Sequence, residues 1–189
     1  EPGAIRGGNP ILFPFPARTF HQGSIHQWLP PGENEPRPMP LHGHARDSRF
    51  RLDEIRDDGF IAALGPTEES REMYPYDYDF HVLYTFEAMS LIVELALHNK
   101  DDKPIPWCGG HHFYFNLPWH DDASRGDYRL LLPRHKALAH NFDTGELVPA
   151  GKARAESGEE PPENGVPFDD PALWNRIHYK LKNRDIYFG

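Results

Sequence analysis

The run Phe80-His81-Val82-Leu83-Tyr84-Thr85-Phe86-Glu87 is followed by Ala88-Met89 and then by Ser90-Leu91-Ile92-Val93-Glu94-Leu95-Ala96-Leu97-His98. Phe80, Val82, Tyr84 and Phe86 alternate with His81, Leu83, Thr85 and Glu87. Leu91, Val93, Leu95 and Leu97 alternate with Ile92, Glu94, Ala96 and His98. Side chains on an extended chain point to opposite faces in turn, so two period-two runs across a short connection predict a β-hairpin with one face more apolar. Asn99-Lys100-Asp101-Asp102-Lys103-Pro104 then supplies a polar turn.

On either side of the hairpin, strands are predicted at 11–15, 20–29, 49–55, 60–64, 112–117 and 128–132, a spacing typical of a sandwich or barrel. Helical periodicity is nearly absent, with one turn predicted at 171–175 behind Asp170. Twenty prolines stop helices and leave gaps in strand ladders, which favours short elements and many loops. An aromatic content of 13% suits half-buried pleated surfaces. From 141 to 177 the alternation fades, and 152–164, rich in Glu, Gly, Pro and Ala, reads as a long exposed loop. No internal repeat is found. The expected fold class is all-β, a single antiparallel domain over residues 1–189.

A chain of 189 residues is long enough to bury one continuous core. With 38% hydrophobic and 26% charged residues it reads as a soluble globular protein. No stretch approaches the roughly 18 apolar residues of a membrane span, and Glu1-Pro2-Gly3 does not open a signal peptide. A formal charge of −9 argues against a nucleic-acid partner, because phosphate binding needs surplus Lys and Arg. Cys108 is the only cysteine, so no internal disulfide forms; a reducing compartment, the cytoplasm, is expected, with Cys108 as a small buried residue. The last residues, Arg184 to Gly189, look like the start or middle of a strand, so the chain is expected to be part of a longer protein.

Two histidine-rich loops stand out. One is Met39-Pro40-Leu41-His42-Gly43-His44-Ala45-Arg46-Asp47, the other Gly109-Gly110-His111-His112-Phe113-Tyr114-Phe115-Asn116-Leu117-Pro118. Loops held by a rigid sheet are usual places for binding groups, and histidine exchanges protons near neutral pH. The H-x-H pair also has metal-ligand spacing. No glutamate follows His44 as a cupin-like site requires, so no metal is expected.

Four motifs, in order, resemble those of aldose 1-epimerases and their hexose-6-phosphate epimerase relatives. Arg6-Gly7-Gly8-Asn9-Pro10-Ile11-Leu12-Phe13-Pro14 is similar to their GG-x-P-hydrophobic-P segment, and Leu41 to Arg46 to their HG-x-AR motif. Tyr74-Pro75-Tyr76 before the hairpin resembles their YP-aromatic segment. His112-Phe113-Tyr114-Phe115 resembles the HPYF signature, with Phe113 where proline is common. The resemblance covers Arg6 to about Leu117, with a weaker trace at Asp185.

The resemblance implies a large antiparallel β-sandwich with a sugar-binding cleft, interconverting the α and β anomers of an aldose without a cofactor. An acid protonates the ring oxygen while a base takes the C1 hydroxyl proton; the ring opens, turns and closes on the other face. Carried over by motif, His112 is the general acid and His42 a hydrogen-bonding contact to the sugar. Arg46 matches, and Arg18 lies near, arginines that hold phosphate in sugar-phosphate members; a pair with Asp47 is the plainer reading of Arg46. Asp185 sits where the family often has an aspartate that holds a sugar hydroxyl; an exposed acid at a strand end is the plainer reading. The family's general base, a glutamate near the C-terminus, has no counterpart here, and Glu94 in the hairpin reads as solvent-facing. The implied partner is a small-molecule aldose or sugar phosphate, with neither nucleic acid nor membrane. The alternative is a sandwich that holds carbohydrate without turnover. Trp107, Tyr114 and Trp119 serve either reading as stacking surfaces, or pack a core.

Overall fold

The structure, a computed structural model, describes residues 7–131, 134–141, 147–149, 165–169, 177–181 and 187–188. It forms two compact units, Glu1–Tyr114 and Phe115–Gly189. In the first, the predicted hairpin is present as strands Tyr78–Glu87 and Ser90–Asn99, joined by Ala88 and Met89. Phe80 faces Leu97, Val82 faces Leu95 and Tyr84 faces Val93, so the apolar members of both runs share one side. Asn99 ends the hairpin by satisfying the turn behind it: its Oδ1 accepts from the Asp101 amide at 2.8 Å and its Nδ2 donates to the Lys103 carbonyl at 2.9 Å. Glu94 lies on the opposite side, exposed.

Gly59–Leu64 pairs with Tyr78–Glu87, and Arg51–Arg56 with Gly59–Leu64, completing an antiparallel four-stranded sheet. Arg51–Arg56 is exposed along its whole length and pairs its own charges. Arg51 holds Asp53 (Nε to Oδ1, 2.5 Å) and Arg56 holds Glu54 (Nε to Oε1, 2.8 Å). Charged side chains on an outer strand discourage further strands from adding.

The apolar side of this sheet carries the core. Phe80 and Val82 are buried with Leu64, and Tyr74, Tyr76, Tyr78, Trp28 and Met39 close over them. Phe13, fully buried, lies at the centre. Its ring stacks on Phe80 at 4.1 Å and 15° and meets Tyr74 edge-on at 5.7 Å. Such aromatic pairs contribute about 0.5–1.5 kcal/mol beyond the area they bury.

Some expectations are corrected. Glu68–Met73 is an α-helix, the one α-helix among the described residues. Thr67 caps it, accepting from the Ser70 amide, while the Ser70 hydroxyl answers the Thr67 amide at 2.8 Å. Arg37 donates to the Arg71 and Glu72 carbonyls at its far end. The strand expected at 20–29 is three short pieces, Phe20–His21, Ser24–Ile25 and Gln27–Trp28. Positive φ at Gln22, Gly23 and His26 turns the chain between them. The strand expected at 112–117 is displaced: Gly110–His111 is the strand, and Cys108 before it is exposed, not a small core residue.

The second unit is antiparallel as well. Leu147–Pro149, Arg134–His140, Ile177–Leu181 and Tyr187–Phe188 form a four-stranded sheet, and Arg129–Leu130 pairs with Val166–Pro167. The turn expected at 171–175, the loop at 152–164 and Asp185 lie outside the described residues. No helix among the described residues is long and apolar enough to cross a membrane.

Candidate functional site

Both histidine loops are fixed to one segment, residues 8–14, by main-chain contacts. Ile11 and Leu12 pair antiparallel with His111 and Gly110. The pairing continues past the strand: the His112 amide donates to the Pro10 carbonyl at 3.1 Å, and the Tyr114 amide to Gly8 at 3.0 Å. On the other side of the strand, the Cys108 amide donates to the Pro14 carbonyl at 2.8 Å. Pro10 and Pro14 have no N–H to offer, so at these positions the segment only accepts. On this segment's other flank, Phe13 bridges to Gly43, and the Ala45 amide donates to the Phe13 carbonyl at 3.2 Å. Gly43 is required at this approach. Its φ is +76°, and a Cβ would collide with the Phe13 carbonyl. Burying Phe13 therefore fixes the height of the His42 loop, and the ladder fixes His112.

The result is a pair of imidazoles. The His42 and His112 rings stand 5.3 Å apart at 76°. His112 stacks on Tyr114 at 4.9 Å and 25°. Two hydrogen bonds join His42 to Ala17: the His42 amide donates to the Ala17 carbonyl at 2.9 Å, and the Ala17 amide donates to His42 Nδ1 at 3.0 Å. Burial holds the His42 imidazole below the usual histidine range, and the neighbouring His112, Arg46 and Arg18 lower it further. Arg18 and Arg46 are exposed at the rim, and Arg46 Nε lies 3.2 Å from Asp47 Oδ2. A pair this exposed is worth little, about 0–1 kcal/mol, and leaves the guanidinium free to exchange partners.

The remaining two histidines are separated from this pair. His44 turns into the core, 5% exposed, with Nε2 3.4 Å from the Tyr78 hydroxyl and Nδ1 3.4 Å from Ser48 Oγ. Burial pushes His44 down to about 4 and the Tyr78 phenol up to about 12. His111 faces Asn9, whose Nδ2 is 3.0 Å from His111 Nδ1 and 3.2 Å from the Tyr84 hydroxyl. The four-histidine metal arrangement is thus divided. Among the described residues no group of three or more His, Cys, Asp or Glu side chains is arranged to hold a metal ion.

Of the residues singled out in the sequence, the structure brings His42, His112, Arg18 and Arg46 together, all in the first unit. Asp185 lies outside the described residues. Tyr114 and Trp107 are partly exposed in the first unit, Trp107 with its ring against the core rings of Phe13 and Phe80, and Trp119 is 66% exposed in the second. Sequence reading missed Ala17, because it acts through its peptide group. Chemically, the site offers two imidazoles and two guanidinium groups at a half-buried surface. It is suited to donating hydrogen bonds and protons to oxygen-rich, anionic or polyhydroxyl ligands.

The family model described as Aldose 1-epimerase matches residues 6–163. Protein LacX of Lactococcus lactis subsp. lactis, in its plasmid form, is 26% identical over 193 residues, covering 98% of this chain and 58% of that protein. The chromosomal form matches equally. The chain thus spans little more than half the length of these curated relatives. Among solved structures, the galactose mutarotase related enzyme from Lactobacillus acidophilus superposes with a TM-score of 0.69 at 20% identity, over 92% of this chain and 55% of that one. A galactose mutarotase-like protein from Lactobacillus casei gives a TM-score of 0.62 at 24% identity, over 84% and 52%. These likenesses establish the fold: an all-β, galactose mutarotase-like architecture.

Proposed function

The chain belongs to the aldose 1-epimerase family, and we propose that it takes part in interconverting the α and β anomers of a hexose or hexose phosphate. The observation that carries this reading is the pairing of His42 and His112, 5.3 Å apart, from the two loops that bear the family's motifs. In the proposed reaction His112 gives a proton to the ring oxygen as a base takes the C1 hydroxyl proton. The C1–ring-oxygen bond breaks, the open aldehyde turns about C1–C2, and reversal of both transfers closes the other anomer. Each proton lost is regained, so no oxidant or cofactor enters.

His42 is assigned a hydrogen bond to the sugar. Arg46 and Arg18 are assigned to a phosphate, which the cationic surroundings of His42 support. Asp185 is assigned to a sugar hydroxyl. The base is assigned to no residue of this chain. A cytoplasmic location completes the proposal, resting on a single cysteine and no internal disulfide.

Two-dimensional exchange NMR on glucose, galactose and glucose 6-phosphate tests the reading, since it measures anomer exchange above the spontaneous background. Accelerated exchange that His112→Ala abolishes is expected where the base is supplied from outside these residues; the chain alone, an acid without its base, is expected to be slower by on the order of 10²-fold or more. An unchanged rate in His112→Ala overturns the acid assignment. No acceleration by the folded chain leaves the family fold standing as a sugar-binding module or an incomplete enzyme.

A further inference from the structure

Ala17 and His42 grip each other at both ends. The His42 amide donates to the Ala17 carbonyl, and the Ala17 amide donates to His42 Nδ1. A peptide N–H only donates, so Nδ1 must present a lone pair. In a neutral imidazole the remaining proton then sits on Nε2. Protonating His42 would set an Nδ1–H against the Ala17 N–H. It would also add a cation beside Arg46 and Arg18 and next to His112, with Asp47 pairing Arg46. Both residues hold φ in the left-handed region, +60° at Ala17 and +70° at His42, where residues other than glycine are uncommon. Such backbone persists where the surroundings over-determine it. Here the reciprocal hydrogen bonds and the Gly43 approach to Phe13 do so.

We propose that Ala17 is a positioning residue: its peptide N–H fixes His42 as the Nε2–H tautomer, a neutral hydrogen-bond donor to a sugar oxygen, and leaves the transferred proton to His112. The donor role rests on the epimerase reading; the tautomer rests on the geometry alone. His44, one glycine away, shows the opposite arrangement. The Ser48 hydroxyl donates to the His44 carbonyl at 2.8 Å, so toward the His44 ring Ser48 Oγ accepts a hydrogen bond from Nδ1–H. The Tyr78 hydroxyl faces Nε2 as its donor. Two histidines of one tripeptide thus carry their protons on different nitrogens.

Histidine-selective 15N NMR of the protein separates these states, with His42→Gln assigning the His42 signals. At about pH 7 the expected spectrum has a protonated Nε2 and an unprotonated Nδ1 at His42. An Nδ1–H or doubly protonated ring there overturns the proposal, whether or not the protein turns over sugar. The kinetic arm uses two variants. Glutamine keeps an N–H donor near the position of Nε2, so His42→Gln is expected within about tenfold of the native exchange rate, and His42→Ala lower by about 10²-fold. Equal losses in the two variants overturn the donor role. An absence of catalysed exchange in the longer protein that supplies the base defeats the epimerase reading and leaves the tautomer result standing.

Discussion

The aromatic core around Phe13 and the cationic rim around His42 touch across a single residue, Gly43, yet use the same side-chain types in opposite ways. In the core, His44 is enclosed by Phe13, Tyr74 and Tyr78, and burial keeps it neutral. At the rim, His42 is held by a peptide group and faces His112 and two arginines. Tyrosine divides the same way: Tyr74 is fully buried, whereas Tyr114 is a partly exposed stacking platform for His112. Residue type alone does not assign a histidine in this fold. What assigns it is which side of the Phe13 carbonyl the chain turns toward.

The strongest way to break this division is Phe13→Ala. Removing a fully buried ring that stacks on Phe80 is expected to cost about 3–5 kcal/mol in chemical unfolding. A loss under about 1 kcal/mol would mean that the rim does not depend on the core.

Acid comes next. His44 is pushed down to about 4 in the fold, against about 6.5 in the unfolded chain. The unfolded chain therefore binds the proton first, and the stability His44 contributes is full above about pH 6.5 and lost as pH falls toward about 4. The change is about 3 kcal/mol, with His42 and His111, also held low by burial, adding in the same direction. Unfolding curves across that range should show a slope that His44→Gln flattens; an equal slope in the variant refutes the core assignment.

Gly43→Ala tests the junction itself. A left-handed backbone costs a residue with a Cβ about 1–2 kcal/mol, and displacing the Phe13 carbonyl adds to it. Sugar affinity should fall with stability, and a variant as stable as the native protein would detach the loop from the core.

The smallest effect on stability, within about 0.5 kcal/mol, is expected of Arg46→Ala, since its pair with Asp47 is exposed. Its binding of hexose 6-phosphate should weaken far more than that of free hexose. Equal weakening in calorimetry removes the phosphate assignment.

Legibility in the sequence followed the same division. The hairpin is readable because two runs alternate on either side of the Ala88-Met89 turn, and Asn99 marks its end. The four motifs single out His42, His112 and Arg46 because each is a side chain in a distinctive spacing. The helix Glu68–Met73 was not readable by periodicity, since six residues are under two turns. Its signal was local: Pro66-Thr67 ahead of Glu68-Glu69, with Ser70 in place of the usual Glu or Gln of a capping box. The breaks within 20–29 come from positive φ at Gln22 and His26, residues that do not announce it. Residue type alone implies a buried Cys108, but the chain leaves it exposed beside the ladder.

The Ala17 contact has a consequence for how mutational tolerance maps onto this protein. Its information is carried by a peptide bond, so the chemistry of the side chain at position 17 is nearly irrelevant while its backbone preference is not. In a saturation library, position 17 should favour glycine, asparagine and aspartate, disfavour β-branched residues and reject proline, whose ring removes the N–H. Such a profile resembles that of an ordinary surface turn. A position that sets the protonation of a site histidine would thus pass as a linker in any scan that scores side chains.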